Sequence, residues 1–280
     1  MTPLAHEIAR LLATPAKDRI LADEDGVFQL VLQAAQFDLT DVQSQIDPLT
    51  FGIAAHRDTE GVERLTFLPA PVTWIEWKDD GLLPNGKPVK GERRKYLPER
   101  TAFLLVQHKT EPRAFATTIV KFQGQVCGDG KFVSLPLYGS GRPINEIEVP
   151  IEDAREFAAS PVKDDLPYIV FACLSIINSP KIVARREHQP HAGLTREINR
   201  AGIPYEPMPW HQILLQVRAP EDEHGPGMTF TGKRAKHFVR SHLRVRLGRL
   251  ELVSPHWRGD PELGLVRSSY RIKAPMRVAA

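Results

Sequence analysis

A chain of 280 residues with 42% hydrophobic and 25% charged content can bury a full core and is too apolar for a disordered protein. Its two cysteines, Cys127 and Cys173, lie far apart without metal-ligand neighbours, which excludes a disulfide framework and a zinc knuckle. The net charge of +3 hides an asymmetry: residues 181–280 carry 18 Lys and Arg against 9 Asp and Glu, while residues 1–180 carry 19 against 25. Seven of the ten histidines also lie past residue 180, and a basic end of this kind points to a polyanionic partner.

Taken in chain order, the opening "MTPLAHEIARLLATPAKDRIL" reads as an amphipathic helix with Leu4, Ile8 and Leu11 on one face, and not as a signal peptide. "GVFQLVLQAAQ" (26–36) predicts a second, more buried helix. From about Arg64 the pattern changes to short apolar runs cut by Pro and Gly. "RLTFLP", "VTWIEW", "TAFLLVQH", "AFATTIVKFQGQV" and "KFVSLPLYG" predict five strands of an antiparallel sheet. The segment 78–100 between the second and third is a long charged excursion. On the strand 72–77 the alternation puts Trp74 and Trp77 on opposite faces, one in the core and one at a surface, with Glu76 beside Trp74. That position suits Glu76 either to hold a basic group from the C-terminal part or to act catalytically.

"IEDAREFAAS" predicts a short amphipathic helix, and "LPYIVFACLSII" (166–177) a buried one, too short to span a bilayer. "TREINRAG" predicts another, with Thr195 as N-cap and Gly202 as stop. A strand follows over 211–217, then a Gly- and Pro-rich loop over 221–232. No internal repeat or glycine-rich phosphate loop occurs, and no cofactor is expected. His188 and His191 are three apart, but with His237 and His242 on opposite faces of one strand no metal site is expected.

The stretch "KHFVRSHLRVRLGRLELVSPHWRG" (236–259) carries the functional signal. Read as a strand, Val239, Leu243, Val245 and Leu247 point one way, and Arg240, His242, Arg244 and Arg246 the other. Gly248-Arg249 predicts a type II′ turn that sets Arg246 opposite Glu251 and Val245 opposite Leu252, and brings His242 towards His256. No acidic residue occurs between Gly225 and Leu250, where seven Lys or Arg and two His stand. A basic β-ribbon beside Phe238 and Trp257 suits phosphate binding with base stacking. The predicted nucleic-acid contacts are Lys233, Arg234, Lys236, His237, Arg240, His242, Arg244, Arg246, Trp257 and Arg258.

The order of residues here resembles the C-terminal signature of a family of phage and mobile-element proteins, roughly His-x-x-Arg-Gly-His-x-Arg, a Gly-containing turn, an aromatic strand, a Gly, and a tail with Gly and Tyr. His237, Arg240, His242, Arg244, Gly248, Gly259, Gly264 and Tyr270 carry the likeness, with Ser241 where the family more often has Gly. Upstream, Pro71, Trp74 and Glu76 resemble the family's Pro-x-x-Trp-x-Glu strand, and "IINSPKIV" the end of its long apolar helix. The family includes a type V-A anti-CRISPR protein that lowers effector expression by acting on the translated messenger RNA. The resemblance therefore implies phage-borne biology in a bacterial cytoplasm.

The expectation is an α+β protein: N-terminal helices, an antiparallel sheet, a buried helix and a basic β-rich C-terminal part. It divides into an acidic domain over 1–180 and a basic hairpin-containing domain over 181–280 packed on it. The leading function is an anti-defence or regulatory protein that binds RNA or a ribonucleoprotein, such as a translating ribosome with its nascent chain, with no membrane partner. A metal-independent ribonuclease is the alternative, with His242, His256 and Arg244 as acid, base and phosphate cation. A third reading is an inhibitor that docks on an acidic protein surface.

Overall fold

In the computed structural model the described residues are 1–13, 27–56, 65–79, 89–90, 96–108, 111, 113–128, 132–137, 166–180, 182–202, 206–215, 235–239, 242–246, 249–253 and 256–266. The predicted helix "IEDAREFAAS", most of the excursion 78–100 and the loop 221–232 lie outside them. The fold is α+β, built on a mixed sheet of eight strands. Its main path runs β5-β4-β3-β2-β1-β8-β7, with β6 also paired to β4. The strands are β1 Ala35–Asp38, β2 Val72–Lys78, β3 Arg100–Gln107, β4 Arg113–Phe122, β5 Gln125–Gly128, β6 Val133–Pro136, β7 Val183–His188 and β8 Trp210–Leu215.

The sheet is not purely antiparallel, because β1 lies parallel to both β2 and β8. This strand comes from the end of the predicted helix 26–36. The helix α2 covers only Val27–Gln33, and the chain turns there into the middle of the sheet. A strand buried on both faces loses its alternation, so "AAQFD" carries no period-2 signal to compete with the helical pattern before it. Gln36, fully buried on this strand, accepts from the backbone N–H of Thr2 at 2.9 Å and donates to the carbonyl of Val31 at 3.1 Å. One side chain thus satisfies backbone groups of both neighbouring helices.

Helices cover both faces of the sheet. On one face α1 (Pro3–Ala13), α2 and α5 (Ala192–Arg200) pack on Trp74, Leu104, Val106 and Ile119. On the other, α3 (Ile46–His56) and α4 (Leu166–Ile177) pack on Phe37, Ile75, Trp77, Phe103 and Leu105. This is why neither tryptophan of β2 reaches a surface: Trp74 is 0% exposed and Trp77 8%. The predicted strand "RLTFLP" does not form among its described residues. The carbonyls of Leu65 and Phe67 instead accept from Nδ2 of Asn178, at the end of α4, at 2.7 and 2.8 Å.

The predicted strand 114–126 is a hairpin, β4 and β5, turned at Gln123 (φ 48°) and Gly124 (φ 76°). Two successive positive φ values are those of a type I′ turn, the two-residue connection that matches strand twist. Strand β7 escapes the sequence pattern because "VARREH" is charged, a composition suited to the edge it occupies. Together β7 and β8 place residues 183–215 inside the main sheet, so a domain boundary at 180 divides the sheet itself. Helix α5 begins three residues before Thr195. His191 is its N-cap, with Nδ1 accepting from the N–H of Gly193 at 3.1 Å.

Candidate nucleic-acid interface

Among its described residues the basic stretch forms two sets of paired strands. Strands β10 (His242–Arg246) and β11 (Arg249–Val253) make a hairpin, while β9 (Ala235–Val239), β12 (His256–Arg258) and β13 (Asp260–Val266) make a three-stranded sheet in the order β12-β9-β13. Val239 pairs with His256 and His242 with Val253, so one register runs through both sets of pairs, and residues 240, 241, 254 and 255 between them lie outside the described residues. Lys233, Arg234, Leu247, Gly248 and Tyr270 lie outside them as well. Of the expected row from Arg240 to Arg246, His242, Arg244 and Arg246 are described, and all three are exposed.

The alternation within β10 does hold. Leu243 is buried and Val245 half-buried, between exposed neighbours. Leu243 and Leu250 join the core beneath α3, and the N–H of Leu250 donates to Oε1 of Gln45 at 2.9 Å. The register differs from the expected one by a shift of the turn. Arg246 pairs with Arg249, so the two connecting residues are 247 and 248, and Glu251 stands opposite Arg244. Arg244 donates to Oε2 of Glu251 through Nε at 3.1 Å and through a terminal nitrogen at 2.9 Å. Its charge is thereby half-spent within the hairpin.

In this register His242 stands opposite Val253 and His256 opposite Val239, so the two histidines are not set across from each other. The neighbours of His256 on its own face are Arg258, two residues on, and His237, which is paired with Arg258. On the other face of the three-stranded sheet Trp257 stands opposite Phe238, and Nζ of Lys236 lies 5.8 Å from the Trp257 ring centroid. Trp257 is 51% exposed, and His256 and Arg258 are exposed on either side of it. Gly259 (φ 107°) turns the chain from β12 towards β13, a conformation open to glycine. Strand β13 adds Asp260 and Glu262, so the positive character concentrates on β9 and β12. Where burial is described on these strands, at residues 236, 237, 239, 256–258 and 260–263, none is buried.

The other sequence-marked residues have structural partners. Glu76 takes its basic group from Arg100 of β3, at 2.7 Å, and not from the C-terminal part. It also accepts from Nε1 of Trp74 at 2.8 Å and from the backbone N–H groups of Leu4 and Ala5 at 3.1 and 3.2 Å, at the N-terminus of α1. A carboxylate there satisfies orphan helix donors and meets the positive end of the dipole. His188 stacks on Trp210 with ring centroids 4.2 Å apart and hydrogen-bonds Gln212 at 3.0 Å, while His191 caps α5. Sequence reasoning missed this His188–Trp210–Gln212 group, because β7 carries no apolar period to reveal it.

No family model, no curated protein and no solved structure matches this chain.

Proposed function

We propose that the protein binds RNA, free or within a ribonucleoprotein, through the three-stranded sheet β9-β12-β13 with the basic edge of the β10-β11 hairpin as a second contact. The observation that carries this is Trp257: a 51% exposed indole with the Lys236 ammonium over its ring, between exposed His256 and Arg258. Cations beside an exposed aromatic ring supply both terms of single-strand binding, phosphate neutralisation and base stacking. The excess of nine positive charges past residue 180 supports the same partner. The resemblance of the C-terminal stretch to phage and mobile-element proteins supplies a setting. In it, the protein is an anti-defence or regulatory factor in a bacterial cytoplasm that lowers expression of a target through its translated messenger.

The ribonuclease reading has less support, since His242 stands opposite Val253 and His256 opposite Val239, and Arg244 is bound to Glu251. Among the described residues no helix is long and apolar enough to cross a membrane. The test is retention of RNA by the purified chain and by a Lys236→Glu/Arg258→Glu variant. Wild type should shift a labelled RNA with strong salt dependence, and the variant should not. Equal binding by both, with the same salt slope, sinks this interface.

A further inference from the structure

We infer that Trp257 and Lys236 form a stacking subsite for an unpaired base, so that this sheet selects single-stranded over duplex RNA. The inference rests on the RNA-binding reading and deepens it. Of the four tryptophans, Trp74 and Trp77 are sealed under helices and Trp210 is stacked on His188, whereas Trp257 is 51% exposed. The indole sits on a three-residue outer strand. Its exposed half offers what a nucleobase recognises, an extended π surface.

The register explains how a nucleotide fits. Trp257 of β12 pairs with position 238 of β9, two residues from Lys236, and Nζ of Lys236 lies 5.8 Å from its ring centroid, so the ring and the ammonium meet on one side of the sheet. His256 and Arg258 project from the other side of the same strand, about 6.6 Å apart. Strand β12 is the outer strand of its sheet, so both sides border one edge. A chain lying along that edge meets stacking groups on one side and cations on the other. Single-stranded RNA can answer both, because its bases swing away from the backbone that carries the phosphates. In an A-form duplex the bases are stacked on each other and paired inward, so the indole finds only ribose and phosphate. The cations still attract a duplex, but Trp257 adds little.

The experiment compares the affinity of the full chain for oligouridylate and for an oligoadenylate–oligouridylate duplex of equal length, in wild type, Trp257→Leu and Trp257→Phe. Wild type should prefer the single strand. Trp257→Leu should weaken single-strand binding about tenfold while leaving duplex binding and Tm nearly unchanged, and Trp257→Phe should keep most of the preference. Wild type binding both RNAs equally overturns the subsite while leaving the RNA-binding reading standing. So does a Trp257→Leu variant that weakens both RNAs alike with a lowered Tm, which makes Trp257 a support for the sheet. If wild type binds neither RNA, the RNA-binding reading fails first and this inference falls with it.

Discussion

Two parts of this molecule use the same residue types to opposite ends. In the main sheet a tryptophan, an arginine and a carboxylate meet at Trp74, Arg100 and Glu76, and Glu76 is fully buried with each oxygen engaged. In the C-terminal sheet the half-buried Lys236 lies over the ring of exposed Trp257, and exposed Arg258 projects from the other side of the same strand. Chemistry alone does not separate the two groups, but the layer above them does. Helices on both faces turn the first into a staple between α1 and the sheet. In the second, no residue whose burial is described is buried.

The sharpest way to break the comparison is at Glu76. Glu76→Ala removes one of the two carboxylates paired with Arg100, Asp38 at 3.3 Å being the other, and takes the acceptor of α1, and should cost about 3–5 kcal/mol. Urea unfolding should show the lowered midpoint, and a loss much under 1 kcal/mol would mean that the staple is idle. Leu250→Ala removes the side chain that anchors the hairpin beneath α3 and should cost about 2–3 kcal/mol, read in the same way. Lys236→Glu/Arg258→Glu should behave in the reverse manner. Stability should stay within error while RNA affinity at about 0.1 M salt falls at least tenfold. The log–log salt slope should flatten by about 0.7 for each phosphate that the variant no longer neutralises.

Acidification acts on the body of the molecule. Burial pushes the imidazole of His6 down, with Arg10, the Met1 amine and His191 adding to this and Glu197 opposing it. Burial and then Arg185 push His211 down, against Glu187. The folded state therefore prefers both rings neutral, while the unfolded chain takes up protons first as pH drops through about 6.5. This stability is present above that pH and is lost below it. Thermal unfolding at pH 7.5 and 5.5 should show the decline, and His211→Gln should reduce it. The smallest effect is expected at the hairpin: Glu251→Gln releases Arg244 and should tighten RNA binding about threefold. No change would confine recognition to the three-stranded sheet.

How much of this is legible in the sequence depends on how many faces of each element are covered. The alternation Leu243–Arg244–Val245–Arg246 is plain because one face packs on α3 and the other meets water. Helix α4 is equally legible, since an apolar run of that length with an aspartate pair before it has one reading. Strand β1 is not, because a four-residue strand buried on both sides keeps no period. Strand β7 is not, because an edge strand can be charged throughout. Trp74 and Glu76 stand out by pattern, yet both serve the fold.

The place of β1 also bears on how the chain is made. Its residues pair on one side with β2, where Phe37 meets Ile75, and on the other with β8, where Phe37 meets His211. During synthesis the first partner emerges early and the second only when most of the chain has left the ribosome. Until then the middle of the sheet has an open flank of unpaired backbone groups, the kind of edge that recruits other strands. A message cut short before the codons for β8 would yield a product with this flank permanently exposed, so the quality of a preparation should depend on its share of incomplete chains.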